Sequence, residues 1–236
     1  MRNFGLDDLR LVNPTADLTS PEARRMAMRA CGTLERAQIF GSLSQALGGV
    51  HTVVATTARQ RCSAARLFSP EEFFEAELPR LLGSPTPQLD QGTAFVFGNE
   101  ESGLSNDDLL VANAAITFET SPQMPSLNLS QAVGLVCYEI SNCRRRASDA
   151  EASLANRTLN KSKSKSNNEK LLSAQELNMV VAHAEKLLSE LNFVQPHTSR
   201  SRMARLRSIL RRSRMSIEDA KFIDALIHFV RHKAVD

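Results

Sequence analysis

Three short apolar runs constrain this chain of 236 residues more than any other feature: residues 50–56 (VHTVVAT), 93–97 (TAFVF) and 115–118 (AITF). Each is too short for a buried helix and rich in β-branched or aromatic residues, so each reads as a strand. Each is followed by a loop and then a helix start. Ser69-Pro70-Glu71-Glu72 places an N-cap serine, a proline at the first helical position and acid in the first turn. Ser105 with Asp108 has capping spacing, and residues 127 to about 145 read as a long helix with an apolar face of Leu129, Ala132, Val133, Val136 and Cys137. Strands alternating with helices imply an α/β domain on a mainly parallel sheet.

The same grammar opens the chain. Residues 9–12 read as a strand closed by Asn13-Pro14. Ser20-Pro21-Glu22 starts a helix expected to end near Gly32. Residues 38–40 read as a short strand, and Ser42 with Gln45 starts a helix stopped by Gly48-Gly49. After Arg146 the texture changes. Residues 160–168 (NKSKSKSNN) are polar and basic with nothing to bury, and read as a flexible linker. Residues 169–191 return to helical periodicity, and Ser216 with Asp219 opens a last helix carrying Phe222, Ile223, Leu226, Ile227 and Val230. The expected division is a body at 1–148, a linker at 149–168 and a basic helical extension at 169–236.

Charge follows that division. Residues 1–150 hold 13 Lys+Arg against 17 Asp+Glu, whereas residues 151–236 hold 16 against 9. Arg200, Arg202, Arg205, Arg207, Arg211, Arg212 and Arg214 run without an acid among them. A basic tail on an acidic body suits a polyanion, and a solvated helix surface reads the same way from charge alone. No apolar run approaches a membrane span, so no membrane partner is expected. Cys31, Cys62, Cys137 and Cys143 show no CxxC spacing, which argues against a zinc ribbon or a disulfide framework and for a reducing, cytoplasmic setting. His228 and His232 lie four apart on the last helix without an HExxH pattern, so no metal is expected.

Three stretches carry chemistry. Phe95-Val-Phe-Gly-Asn-Glu-Glu-Ser-Gly-Leu104 runs a strand into a loop with two glycines, placing Asn99 and Glu100 at a strand's carboxyl end, where α/β proteins bind ligands. Pro122-Gln-Met-Pro-Ser-Leu-Asn-Leu-Ser130 holds an extended lead into the long helix, with Ser126 or Asn128 able to cap it. Ala55-Thr-Thr-Ala-Arg59 follows the strongest strand with small residues that suit a flat ring, and Arg59 and Arg61 could face phosphate. Taken singly, each also reads as an ordinary turn, a helix cap or a polar loop.

Taken together and in this order, they resemble a known family. FGNEESGL, a strand, then PSLNLSQAVGLVCYE resemble motifs two and three of the SpoU-class RNA 2′-O-methyltransferases of the SPOUT superfamily. FGLDDLRLVNP resembles the segment that follows the family's motif one. Leu191-Asn-Phe, Arg205-Leu-Arg, Ile209-Leu-Arg-Arg and the last helix resemble the extension of the TrmJ-like branch. The resemblance implies a SPOUT fold, with a C-terminal trefoil knot spanning about 98–145, and a homodimer. It implies S-adenosyl-L-methionine held by Thr56, Thr57, Ala58, Gly98, Phe118, Pro125, Ser126 and Leu127, with Glu100 and Asn128 as catalytic-motif residues that shape the nucleoside side. It implies methylation of a ribose 2′-hydroxyl in structured RNA, first of all a tRNA anticodon loop. Arg59, Arg61, Arg205, Arg207, Arg211 and Arg212 are the expected RNA contacts.

Motif one, Asn-x-Gly followed by Ala-Arg-Ala, has no counterpart here. In the family its arginine assists loss of the hydroxyl proton, and it would precede Met1. The expectation is a longer native protein, whose upstream part could carry an organellar transit peptide. A sheet lacking the strand that comes with that motif would expose backbone edges and apolar faces. The competing reading is a catalytically impaired relative that dimerises and binds RNA. A generic nucleotide-binding protein is a third reading, against which stands the lack of a GxGxxG or Walker loop.

Overall fold

The structure is a computed structural model that describes residues 1–59, 65–82, 92–157, 172–191 and 215–233, with residues 203, 206, 209 and 210 between the last two segments. It is a mixed α/β fold with parallel sheets and a helical C-terminal part. Strands β1 (Arg10–Val12), β2 (Gln38–Phe40), β3 (Thr52–Thr56), β4 (Leu67–Phe68), β5 (Thr93–Val96) and β6 (Ala114–Ile116) pair only in parallel. The expected single sheet divides in two: four strands in the order β4-β6-β3-β5, and β1 with β2 on their own. The small sheet leaves Ile39 62% exposed. It is tied to the body through Arg10, whose Nη1 donates to the carbonyls of Ala46 at 2.7 Å and Gly48 at 3.3 Å.

β3 lies between β6 and β5, and its alternate residues divide the core. Val53 and Ala55 join Leu104, Leu109, Leu110 and Ala115 on one face. Val54 joins Phe68, Phe73, Phe74, Ala114, Ile116, Val136 and Ile140 on the other. A parallel strand covered on both faces reads as a continuous apolar run, which is why residues 50–56 show no polar alternation. Val53, Val54, Phe73, Leu78, Leu109 and Ile116 are fully buried; each such side chain contributes roughly 1.5–3 kcal/mol of transfer free energy.

The helix expected from Ser20 to Gly32 is broken. α1 (Pro21–Ala27) passes through a 3-10 turn at Met28–Ala30 into α2 (Cys31–Glu35), and Met28 takes a φ of +48°. α3 (Leu43–Ala46) is capped by Ser42. α4 comprises Pro70–Glu72 and Leu78–Leu82, joined by a π-helical turn at Phe73–Glu77. Pro79 lacks an N–H and crowds the carbonyl four residues back, which disfavours a regular α turn there. α5 (Asn106–Leu110) carries the full Ser105–Asp108 capping box.

α6 (Leu129–Arg157) seats Val136, Ile140 and Cys143 against the β3 face that holds Val54. It runs past Arg145 and occupies the first part of the stretch read as linker; residues 160–168 lie outside the described residues. α7 (Ala174–Glu190) and α8 (Ile217–Lys233) have capping boxes at Ser173–Glu176 and Ser216–Asp219. They run side by side in the same direction, because three contacts keep one register. Leu172 N–H donates to the Met215 carbonyl, His183 meets Asp224 at 3.1 Å, and Arg231 meets Glu190 at 2.8 Å. His51 Nδ1 lies 3.0 Å from the Leu172 carbonyl and joins this pair to the body.

Candidate functional site

Parallel pairing brings the carboxyl ends of β3, β5 and β6 to one edge, since Ala55 pairs with Val96 and Thr56 with Ile116. The loops leaving those three strands enclose a cleft of about 270 Å³. That is close to the lower bound of volumes typical of small-molecule sites.

The first wall is the loop after β3. Thr56 Oγ1 donates to the Val96 carbonyl at 3.2 Å, and Thr57 N–H donates to the Ile116 carbonyl at 3.0 Å. Thr57 Oγ1 accepts from Arg59 N–H at 3.2 Å. Thr56, Thr57, Ala58 and Arg59 all line the cleft.

The second wall is the loop after β5. Asn99 organises it: its Oδ1 accepts from Ser102 N–H at 2.8 Å and Ser102 Oγ at 2.9 Å, and its carbonyl accepts from Gly103 N–H at 3.0 Å. Gly103 takes a φ of +64°, a region glycine enters without cost. Gly98 packs directly on the Gly103–Leu104 backbone, where a side chain has no room. Glu100 and Glu101 stand exposed at the tip and line the cleft.

The third wall is the segment from β6 to α6. Phe118 and Thr120 line the cleft, followed by Pro125, Ser126 and Leu127, and then Leu129 and Ala132 on the first turn of α6. Asn128 is the helix cap: its Oδ1 accepts from Ser130 N–H at 2.9 Å and Ser130 Oγ at 2.7 Å.

All eight residues named above for the cofactor therefore share one cleft, and Glu100 and Arg59 share it with them. Asn128 sits beside the cleft as the cap, not among its lining residues. Arg61, Arg205, Arg207, Arg211 and Arg212 lie outside the described residues. Phe97, Thr120, Leu129 and Ala132 line the cleft as well, although the sequence marks Leu129 and Ala132 only as part of the long helix's apolar face. That face follows from their spacing of three on a helix, whereas Phe97 and Thr120 carry no local mark of the cleft.

The cleft suits a flat apolar ring on a ligand that carries positive charge. Phe97, Phe118, Leu104, Leu127 and Leu129 supply apolar surface for a ring, the bare backbone at Gly98 admits close approach, and the two carboxylates at the tip suit a cationic ligand.

The same residues fall within a family profile, described as SpoU rRNA Methylase family, that matches residues 1–138. This chain belongs to the SpoU rRNA methylase family. The match ends within α6, so all three walls of the cleft fall inside the methylase segment, while α7 and α8 lie beyond it. The chain is 32% identical over 216 residues to the tRNA (cytidine/uridine/adenosine-2′-O-)-methyltransferase TrmJ of Pseudomonas aeruginosa (strain UCBPP-PA14), covering 92% of this chain and 80% of that protein. It is 32% identical over 152 residues to the uncharacterized tRNA/rRNA methyltransferase LasT of Escherichia coli (strain K12), 64% of each. The crystal structure of TrmJ from Z. mobilis ZM4 superposes with a TM-score of 0.74 at 27% identity, covering 98% of this chain and 90% of that one. The coverages of this chain by the two TrmJ proteins, 92% and 98%, take in the helical extension as well as the methylase segment.

Proposed function

We propose that this protein methylates a ribose 2′-hydroxyl in tRNA with S-adenosyl-L-methionine bound in the cleft at the carboxyl ends of β3, β5 and β6. The observation that carries the reading is the convergence of three loops, distant in sequence, on one cleft that fits an adenosyl group. The TrmJ relatives are tRNA 2′-O-methyltransferases, which supplies the acceptor class.

The cofactor, when bound, supplies a methyl group on a sulfonium cation and needs no metal. The chain's own work is then positioning and exclusion of water. Thr56, Thr57 and Ala58 form one side of the ring slot, Gly98 lets the backbone close on the ligand, and Phe118 with Pro125, Ser126 and Leu127 forms the opposite side. Glu100 at the loop tip and Asn128 at the α6 cap border the side on which the ribose would enter. Arg61 and the arginines at 205, 207, 211 and 212 are the proposed phosphate contacts, which would steepen the salt dependence of binding. A SPOUT-type knot through the 98–145 segment and a homodimer belong to the same proposal. A reducing, cytoplasmic setting belongs to the same proposal.

One observation favours a second reading. Among the described residues the cleft wall carries a single basic side chain, Arg59, and its guanidinium is engaged by Leu104 and Asn106. A 2′-hydroxyl is a poor nucleophile until its proton is drawn off. On that reading this chain binds cofactor and RNA as a dimer without transferring the methyl group. Incubating the protein with unmodified tRNA and S-adenosylmethionine, then digesting the RNA for nucleoside mass spectrometry, separates the two. A new 2′-O-methyl nucleoside supports the transferase; retained binding of both ligands with no such nucleoside leaves the binder.

A further inference from the structure

Arg59 leaves the β3 loop and crosses to the loop that follows β5. Its Nη2 donates to the Leu104 carbonyl at 3.0 Å, and its Nη1 donates to Asn106 Oδ1. Its own N–H is held by Thr57 Oγ1. Leu104 is a buried member of the core and ends the loop that begins at Gly98, while Asn106 opens α5. One side chain thus fastens the first wall of the cleft to the far end of the second. Among the polar contacts that cross between these loops, Thr56 Oγ1 to Val96 holds the floor and Arg59 holds the rim.

We propose that Arg59 is a positioning residue that sets the width of the cofactor cleft, and that it is not a contact to RNA phosphate. The inference rests on reading the cleft as the adenosyl site. Its physical basis is the shape of the guanidinium, a planar fork that satisfies two acceptors in fixed relative positions. The Leu104 carbonyl and Asn106 Oδ1 are the two acceptors, one on the loop and one on the helix after it. With both occupied, the 98–104 loop is held at both ends: Gly98 follows β5 after one residue, Phe97, and Leu104 is pinned to Arg59. Two of the guanidinium's five N–H groups are committed in this way, and the orientation of the fork is set by the cleft walls and not by a bound phosphate.

The test uses the full chain and the variants Arg59→Ala, Arg59→Lys and Asn106→Ala. S-adenosylhomocysteine is titrated calorimetrically, and tRNA affinity is measured by anisotropy over a range of salt. Arg59→Ala is expected to weaken S-adenosylhomocysteine by about tenfold, the order expected for lost charge-assisted hydrogen bonds. It leaves tRNA affinity and its salt slope as in the parent. Under turnover with saturating tRNA, the loss appears in KM for S-adenosylmethionine and not in kcat. Arg59→Lys recovers only part of the affinity, because an ammonium is a point donor and not a fork. Asn106→Ala falls between, and adds nothing in the Arg59→Ala background, as for groups that act as a unit.

Unchanged S-adenosylhomocysteine affinity in Arg59→Ala overturns the proposal. If tRNA affinity then drops and its salt slope shallows, Arg59 is a phosphate contact instead. A parent protein that binds no S-adenosylhomocysteine removes the reading of the cleft itself, a different failure from a parent and a variant that bind equally well.

Discussion

Gly98 and Gly103 are in direct backbone contact: a β-carbon on Gly98 would lie 2.1 Å from the Gly103 carbonyl carbon and 2.3 Å from Leu104 N. Both neighbours are backbone atoms and cannot rotate away. The loop between β5 and α5 closes on itself there, and its closure shapes one wall of the cleft. Gly98→Ala is expected to open the loop and abolish S-adenosylhomocysteine binding by calorimetry. The β3–β6 core lies on other residues, so the variant stays folded by circular dichroism. Binding equal to the parent would show that the loop's closed form is not what the ligand needs.

Asn128 joins helix stability to the site. Its side chain caps α6 through Ser130, and the first turn it secures carries Leu129 and Ala132 into the cleft. Loss of such a cap costs about 1 kcal/mol. Asn128→Ala should lower stability by that order in urea titration and weaken S-adenosylhomocysteine, while Asn128→Ser, which keeps a capping oxygen, restores most of both.

Leu109 is fully buried on α5, under the loop that carries Gly98 and Glu100. Leu109→Ala removes packed methyl groups and leaves a cavity, a change worth about 3 kcal/mol. Urea unfolding should show a lower midpoint with an unchanged m-value. A loss under about 1 kcal/mol would mean that the site collapses around the smaller side chain.

The capping box of α8 gives a pH dependence with a definite sign. The Ser216 N–H, followed by the Ser216 hydroxyl, holds the Asp219 carboxyl below its ordinary value of 3.8. A carboxyl lowered on folding contributes stability above its unfolded pKa, and that contribution is lost as pH falls through the folded pKa. The parent should therefore melt higher than Asp219→Asn near pH 6, and the difference should vanish in strongly acid solution. A difference that persists at pH 2 would assign the stabilisation to shape and not to charge.

The order of elements was legible in the sequence because each element rests on local chemistry, whereas the eight cofactor residues came from the family resemblance. Ser20, Ser42, Ser69, Ser105 and Ser216 all cap helices through their own side chains, as their spacings require. Within the run 50–56, Thr52–Thr56 form an interior strand of the four-stranded sheet, where a β-branched apolar run is covered on both faces. What escaped was set by tertiary context. β4 has two residues, too few to show a period, and exists because Phe68 pairs with Ile116. The break at Met28 follows no Gly or Pro that would mark it in the sequence. The division of the sheet depends on which edges meet, and strand propensity carries no information about that. Phe97 and Thr120 needed the fold to place them opposite α6.

A crystal structure of this protein grown with S-adenosylhomocysteine is the most direct measurement. The account predicts ligand density between Gly98 and Leu127, with the adenine between the Thr56–Ala58 segment and Phe118. Density at any other site, or a cleft that stays without ligand at saturating concentration, would contradict it.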